Sequence, residues 1–160
     1  GYLRSSARVQ RAARAAAVTL FIPAVILLAG GGLAVGAVRP PVFRPGPETA
    51  MFLKIRQMLP KNAVILTEYD TSNALPAWTP QFTLIGHGPE SAYLRELRPK
   101  VEAFLTNPAE TDLEWLAAQR VTHVLFTPKD EGRAAAKNLP WLIELAEVEG
   151  YTLYAVEYSP

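Results

Sequence analysis

The longest uninterrupted pattern along the chain is apolar. From Ala15 to Val38 run 24 consecutive uncharged residues, mostly Ala, Val, Leu, Ile and Gly, bracketed by Arg14 and Arg39. At about 1.5 Å rise per residue the run makes a helix of roughly 36 Å, enough to cross a hydrocarbon layer of about 30 Å with some tilt. It predicts one transmembrane helix over 15–38. A secretory signal carries a shorter apolar region, about 7 to 15 residues before a small-residue cleavage site, so length favours a span. Pro23 removes one backbone donor inside the run and predicts a kink. Gly32 and Gly36, beside Gly30 and Gly31, form a Gly-x-x-x-Gly pair of the kind that lets a second helix approach closely in lipid.

After the run the period changes. Residues 39–47 are proline-rich, stiff and extended, and mark a linker; residues 48–160 then suffice for one compact domain. Met51, Phe52, Ile55, Met58 and Leu59 recur at helical spacing up to Pro60. Residues 63–69 (AVILTEY) begin as a solid apolar run, the signature of a strand covered on both faces. A short helix is expected through Asn73, Ala74 and Leu75 before Pro76, then a second strand over 82–86 (FTLIG). Leu94, Leu97, Val101 and Phe104 form a helical stripe in which Pro99 predicts a kink or a break.

Thr111 and Glu114 match the ends of a capping box, opening a helix to about Gln119. A third strand is expected over 121–127 (VTHVLFT), helical material interrupted near Pro140 over 130–148, and a last strand over 151–158 after a turn at Gly150. This alternation predicts a small three-layer α/β domain with a largely parallel sheet of about four strands.

Charge sharpens the topology. Residues 1–38 hold four arginines, Arg4, Arg8, Arg11 and Arg14, and no acid, whereas residues 39–160 hold 12 basic and 15 acidic side chains. Short flanking segments rich in Lys and Arg stay on the cytoplasmic side, so residues 1–14 are expected in the cytoplasm and the domain outside it, at the inner membrane. The arginines also fall at helical spacing, suited to anionic lipid headgroups. The 160 residues contain no cysteine, which excludes a disulfide scaffold, a thiolate metal site and a thiol nucleophile. With two histidines in addition, neither a metal site nor a bound cofactor is expected. The three tryptophans, Trp78, Trp115 and Trp141, are scattered away from any basic patch and argue for core packing, not a nucleic-acid groove.

Candidate chemistry is confined to strand ends, because open α/β sheets bind ligands beyond the carboxyl ends of their strands. Glu68, Asp70 and Asn73 follow the first strand, His87 the second, and Thr127, Pro128 and Lys129 the third. Two carboxylates, an imidazole and an amide could hold a polar ligand such as a sugar or exchange protons with it. The competing structural reading has Asp70 and Asn73 cap the following helix, and His87 bond to Glu68 or Asp70. His123, inside a strand, is expected to be a core or interface histidine. Phosphate-binding glycine loops and a serine hydrolase elbow are missing from the sequence.

The order of these segments, a membrane span, a proline-rich exit, AVILTEYD, Ser72-Asn73-Ala74-Leu75-Pro76-Ala77, Gly86-His87, Val101-Glu102-Ala103-Phe104-Leu105 and Val121-Thr122-His123-Val124-Leu125-Phe126, resembles the C-terminal end of bacterial multi-spanning C-type glycosyltransferases. The resemblance covers residues 15–130 or so. It implies a parent that transfers sugar from a polyprenyl-phosphate donor outside the cytoplasm, with catalytic acids in loops near the start of its membrane region. No counterpart of those loops is present in this chain, so the implied role is a non-catalytic module that shapes or covers an acceptor site built elsewhere. The alternative is a single-span accessory subunit docked among the transmembrane helices of a larger complex. A weaker third reading is a periplasmic enzyme using Asp70 and His87.

Overall fold

In the computed structural model the chain divides into two units, Gly1–Phe43 and Arg44–Pro160. The structure describes residues 2–36, 44–86, 93–110 and 112–158. Among the described residues the first unit is one helix, α1 (Tyr2–Gly36), which runs through Pro23 and extends past the apolar run to take in the basic N-terminal segment. Within it, Val9–Leu33 is the one segment among the described residues long and apolar enough to cross a membrane, with mean hydropathy 2.2. None of that segment is buried within the chain. Length and composition of this sort suit either a membrane span or a signal sequence.

The second unit is an α/β domain built on a five-stranded mixed sheet. Its elements are α2 (Gly46–Met58), β1 (Val64–Leu66), α3 (Tyr69–Ala74), β2 (Phe82–Thr83), α4 (Leu94–Thr106), α5 (Leu113–Ala118), β3 (His123–Phe126), α6 (Arg133–Ala136), β4 (Leu142–Val148) and β5 (Tyr151–Val156). The strand order is β2-β1-β3-β5-β4. β1 pairs parallel to β2 and β3, whereas β5 runs antiparallel to both β3 and β4.

Successive residues of a strand point to opposite faces, and here each face has its own core. Leu66, Val124, Phe126 and Tyr154 pack with Val101 and Phe104 of α4 and Leu116 of α5. Ile65, Leu125, Leu153 and Tyr151 pack with Met51, Phe52 and Ile55 of α2. The aromatic centre lies on the first face: Phe126 stacks on Phe104 at 5.9 Å and meets Tyr154 edge-on at 5.9 Å and 88°. Trp115 and Trp141 are partly buried against the same core, while Trp78 is 41% exposed beside Phe52.

Four strands, largely parallel, were too few and too uniform: the C-terminal third forms an antiparallel hairpin. Helix in residues 130–148 is limited to the single turn of α6, and the expected remainder is β4. The misleading signal has a physical origin. Leu142, Leu145 and Ala146 are spaced as on a helix face, but the register slips between Glu144 and Ala146, and this bulge inserts Leu145 as an extra residue. Leu145 and Ala146 therefore both pack on the α2 side. Glu149 (φ 44°) and Gly150 (φ 90°) form the two-residue loop between the paired Val148 and Tyr151. Positive φ at both positions matches the turn whose twist suits a hairpin.

Other boundaries also move. Of the kink or break expected at Pro99, the break does not occur: α4 continues through it as one helix. α5 is capped by Asp112, whose side chain accepts from the Glu114 N–H at 2.8 Å; Thr111 lies outside the described residues. α3 begins at Tyr69, four residues before the expected start, and passes into a 3₁₀ turn over Leu75–Ala77 that accommodates Pro76 near its beginning.

Candidate functional site

The chain leaves β1 toward β2 on one side and leaves β3 toward the β4–β5 hairpin on the other. Their carboxyl ends therefore flank a crevice at a topological switch point, where open sheets bind ligands. A cavity of about 320 Å³ lies there. Glu68, Tyr69 and Asp70 line it from the end of β1, Arg98 and Glu102 from α4, and Lys129 and Asp130 from the loop after β3. Two larger clefts lie elsewhere, beside Phe104 and Trp115 and beside Lys61 and Trp78, away from these strand ends.

Of the residues singled out in the sequence, Glu68 and Asp70 reach the crevice and Asn73 does not. The Asn73 amide donates to the Tyr69 carbonyl at 3.0 Å on its own helix. His87 lies outside the described residues; Gly36 is the last residue of α1, and an added Cβ at Gly32 would meet nothing within 4 Å. His123 is half-buried in β3, its Nδ1 2.8 Å from Thr122 Oγ1, and burial lowers its pKa. Neither Asp70 nor Asn73 supplies the cap of α3: Glu68 occupies that position, and its side chain makes no capping bond.

What holds Glu68 instead is a buried polar chain. Thr71 Oγ1 lies 2.8 Å from Glu48 Oε1 and 3.1 Å from Glu68 Oε1. Glu48, 2% exposed, is paired with Arg44 at 3.2 Å, and Arg44 also donates to the Asp70 carbonyl at 2.9 Å. The first residues of the domain are thus fastened to the helix that frames the crevice. Burial pushes the Glu68 carboxyl above its ordinary pKa against the opposing pull of Lys129 and the Thr71 hydroxyl. Asp130 is raised for the same reason, although its carboxylate accepts from the Thr127 N–H at 2.6 Å. On the opposite wall the Arg98 guanidinium lies 4.7 Å from the Tyr69 ring centre and bonds Glu102 at 2.7 Å.

The crevice therefore combines an aromatic-cation wall, carboxyl groups that hold protons unusually well, and a lysine. Such a site can bond a hydroxyl-bearing or basic ligand and can exchange a proton with it. Among the described residues no cluster of three or more His, Asp or Glu side chains could hold a metal ion. Arg44, Glu48, Arg98 and Asp130 were not anticipated; the i,i+4 spacing of Arg44 and Glu48 and the place of Asp130 just past β3 were the available signals. No family model, curated protein or solved structure matches the chain.

Proposed function

We propose that the chain is a membrane-anchored, non-catalytic module of a glycosyltransferase-like membrane protein, with its domain outside the cytoplasm covering or shaping an acceptor site built elsewhere. The observation that carries this reading is Val9–Leu33, an apolar helix of 25 residues with no surface buried within the chain. Such a surface is stable only in lipid or against other apolar helices. The arginines at its N-terminal end favour the cytoplasmic side for residues 1–14 and contact with anionic lipid. The crevice supports the second half of the reading, since a polar cavity of about 320 Å³ lined by carboxyl groups and a tyrosine suits a hydroxylated acceptor.

A single-span accessory subunit is the second reading, favoured by the open space around Gly30, Gly31 and Gly32. One experiment serves both. The chain has no cysteine, so Gly32→Cys is a unique crosslinking handle in native membranes. The proposal expects a crosslink to a multi-spanning protein whose complex transfers sugar from a polyprenyl-phosphate donor. A crosslink to a complex without that activity favours the accessory subunit, and a self-crosslink alone contradicts both.

A further inference from the structure

The amino ends of β1 and β2 carry a surface unlike the rest of the domain. A cleft of about 570 Å³ lies there, lined by Arg56 and Leu59 at the end of α2, Lys61 before β1, and Trp78, Pro80 and Gln81 before β2. Its parts are held in place. The 3₁₀ turn over Leu75–Ala77 closes on the Leu75 carbonyl, which accepts from the Trp78 and Thr79 N–H groups at 2.9 and 3.0 Å. The buried Gln81 side chain donates to the Leu59 carbonyl at 2.9 Å and ties this loop to the end of α2. The Trp78 ring leans on Phe52, centroid to centroid 6.4 Å, yet remains 41% exposed. Leu53, next to Phe52 and three residues before Arg56 on the same helix flank, is also exposed.

Charge singles out the same surface. Residues 49–67 and 71–86, which form the cleft, contain Lys54, Arg56 and Lys61 and no acid, whereas the remainder of residues 44–160 holds 8 basic and 15 acidic side chains. Among the described residues neither Arg56 nor Lys61 pairs with a carboxylate. Unpaired cations beside a half-seated indole match an anionic lipid surface, where the ring sits at headgroup level and the cations meet phosphates. An extended peptide finds little to pair with here, because the edge strand β2 is two residues long and follows Pro80 closely.

We propose that this face, Trp78 and Leu53 flanked by Arg56 and Lys61, docks on an anionic bilayer surface, the same bilayer that holds α1. The inference rests on the membrane-anchored reading and adds an orientation to it. α2 has 13 residues and carries the chain from Arg44, bonded beside the crevice, to the cleft, a length of about 20 Å. The residues between Gly36 and Arg44 reach at most about 28 Å when extended, so the tether is long enough for the contact. The cleft lies at the amino ends of parallel strands and the crevice at their carboxyl ends. Docking therefore turns the crevice toward the aqueous side, open to a water-borne hydroxylated ligand.

Tryptophan quenching in the full chain tests this. All three tryptophans lie in the domain, and Trp78 alone is exposed, Trp115 and Trp141 being partly buried against the core. The chain is reconstituted into vesicles of equimolar phosphatidylglycerol and phosphatidylcholine, the latter brominated near the headgroup end of its acyl chains, and flotation with the vesicles establishes that α1 is inserted. Fluorescence should be quenched relative to unbrominated vesicles, and the quenching should vanish in Trp78→Phe and weaken at high salt. Arg56→Gln and Lys61→Gln, both at exposed positions, should each lower the docked-to-free ratio about fivefold, the factor equivalent to about 1 kcal/mol per cation at such a surface. Ile143→Ser, equally exposed but on the opposite edge strand, should change nothing. Quenching that is absent, that survives Trp78→Phe, or that ignores both charge variants overturns the inference and leaves the anchor reading intact. So does a Trp78 blue shift that grows with protein concentration and not with lipid, which assigns the face to a second copy of the chain. A chain that fails to float overturns both.

Discussion

The two halves of the sheet are built to different standards. β2, β1 and β3 are parallel and at most four residues long, and the polar residues that follow β1 and β3 line a cavity. The β4–β5 hairpin is antiparallel, its strands are seven and six residues long, and it frames no part of that cavity. Yet β5 lies between β3 and β4 and aligns Leu125 with Leu153 and Val124 with Tyr154, so the hairpin supports the short parallel strands along their open side. Division of labour of this kind frees the strand ends for polar groups that would weaken a longer parallel sheet, because the apolar burial is supplied elsewhere.

The largest effect is expected where the halves meet. Phe126→Ala removes a ring fully buried between Phe104 and Tyr154 and should lower domain stability by about 3–5 kcal/mol, measured by denaturant unfolding of the full chain. On the crevice side, Glu48→Gln deprives Arg44 and Thr71 of their anionic acceptor and should cost about 1–3 kcal/mol in the same assay. If that variant is as stable as the original, the polar chain does not hold α2 to α3. On the hairpin side, Gly150→Ala places a side chain at φ 90° and should cost about 1–2 kcal/mol, with no change at the crevice.

The smallest effect is the response to pH. Glu68 and Asp130 both have raised pKa values in the folded domain, so above the ordinary carboxylate range the unfolded chain has released protons that the folded one still holds. Stability should therefore fall as pH rises from the ordinary carboxylate value toward the raised ones, then level off. An increase across that interval would contradict the burial of these two groups.

Legibility from the sequence followed the same division. Solid apolar runs marked β1 and β3, whose cores are set by composition alone, and the unbroken run in α1 is the plainest signal in the chain. β4 was hidden because its bulge imitates helical spacing at Leu142, Leu145 and Ala146, and only the pairing with β5 reveals the difference. Glu68 and Asp70 were legible as strand-end residues. Arg98 and Glu102 were not, since a charged pair four apart on a helix looks the same whether it faces bulk solvent or a cavity. The link from Arg44 through Glu48 and Thr71 to Glu68 joins residues more than 20 positions apart, and only the packing of α2 beside α3 brings them together.

The central claim is that α1 crosses a membrane with the arginines inside and the domain outside. The absence of cysteine allows a direct measurement with a membrane-impermeant maleimide on intact spheroplasts, using Ser6→Cys and Lys61→Cys separately. Labelling of Lys61→Cys in intact cells, with Ser6→Cys labelled only after lysis, is the predicted result. Labelling of Ser6→Cys with protection of Lys61→Cys, or release of the chain from membranes by alkaline carbonate, would contradict it.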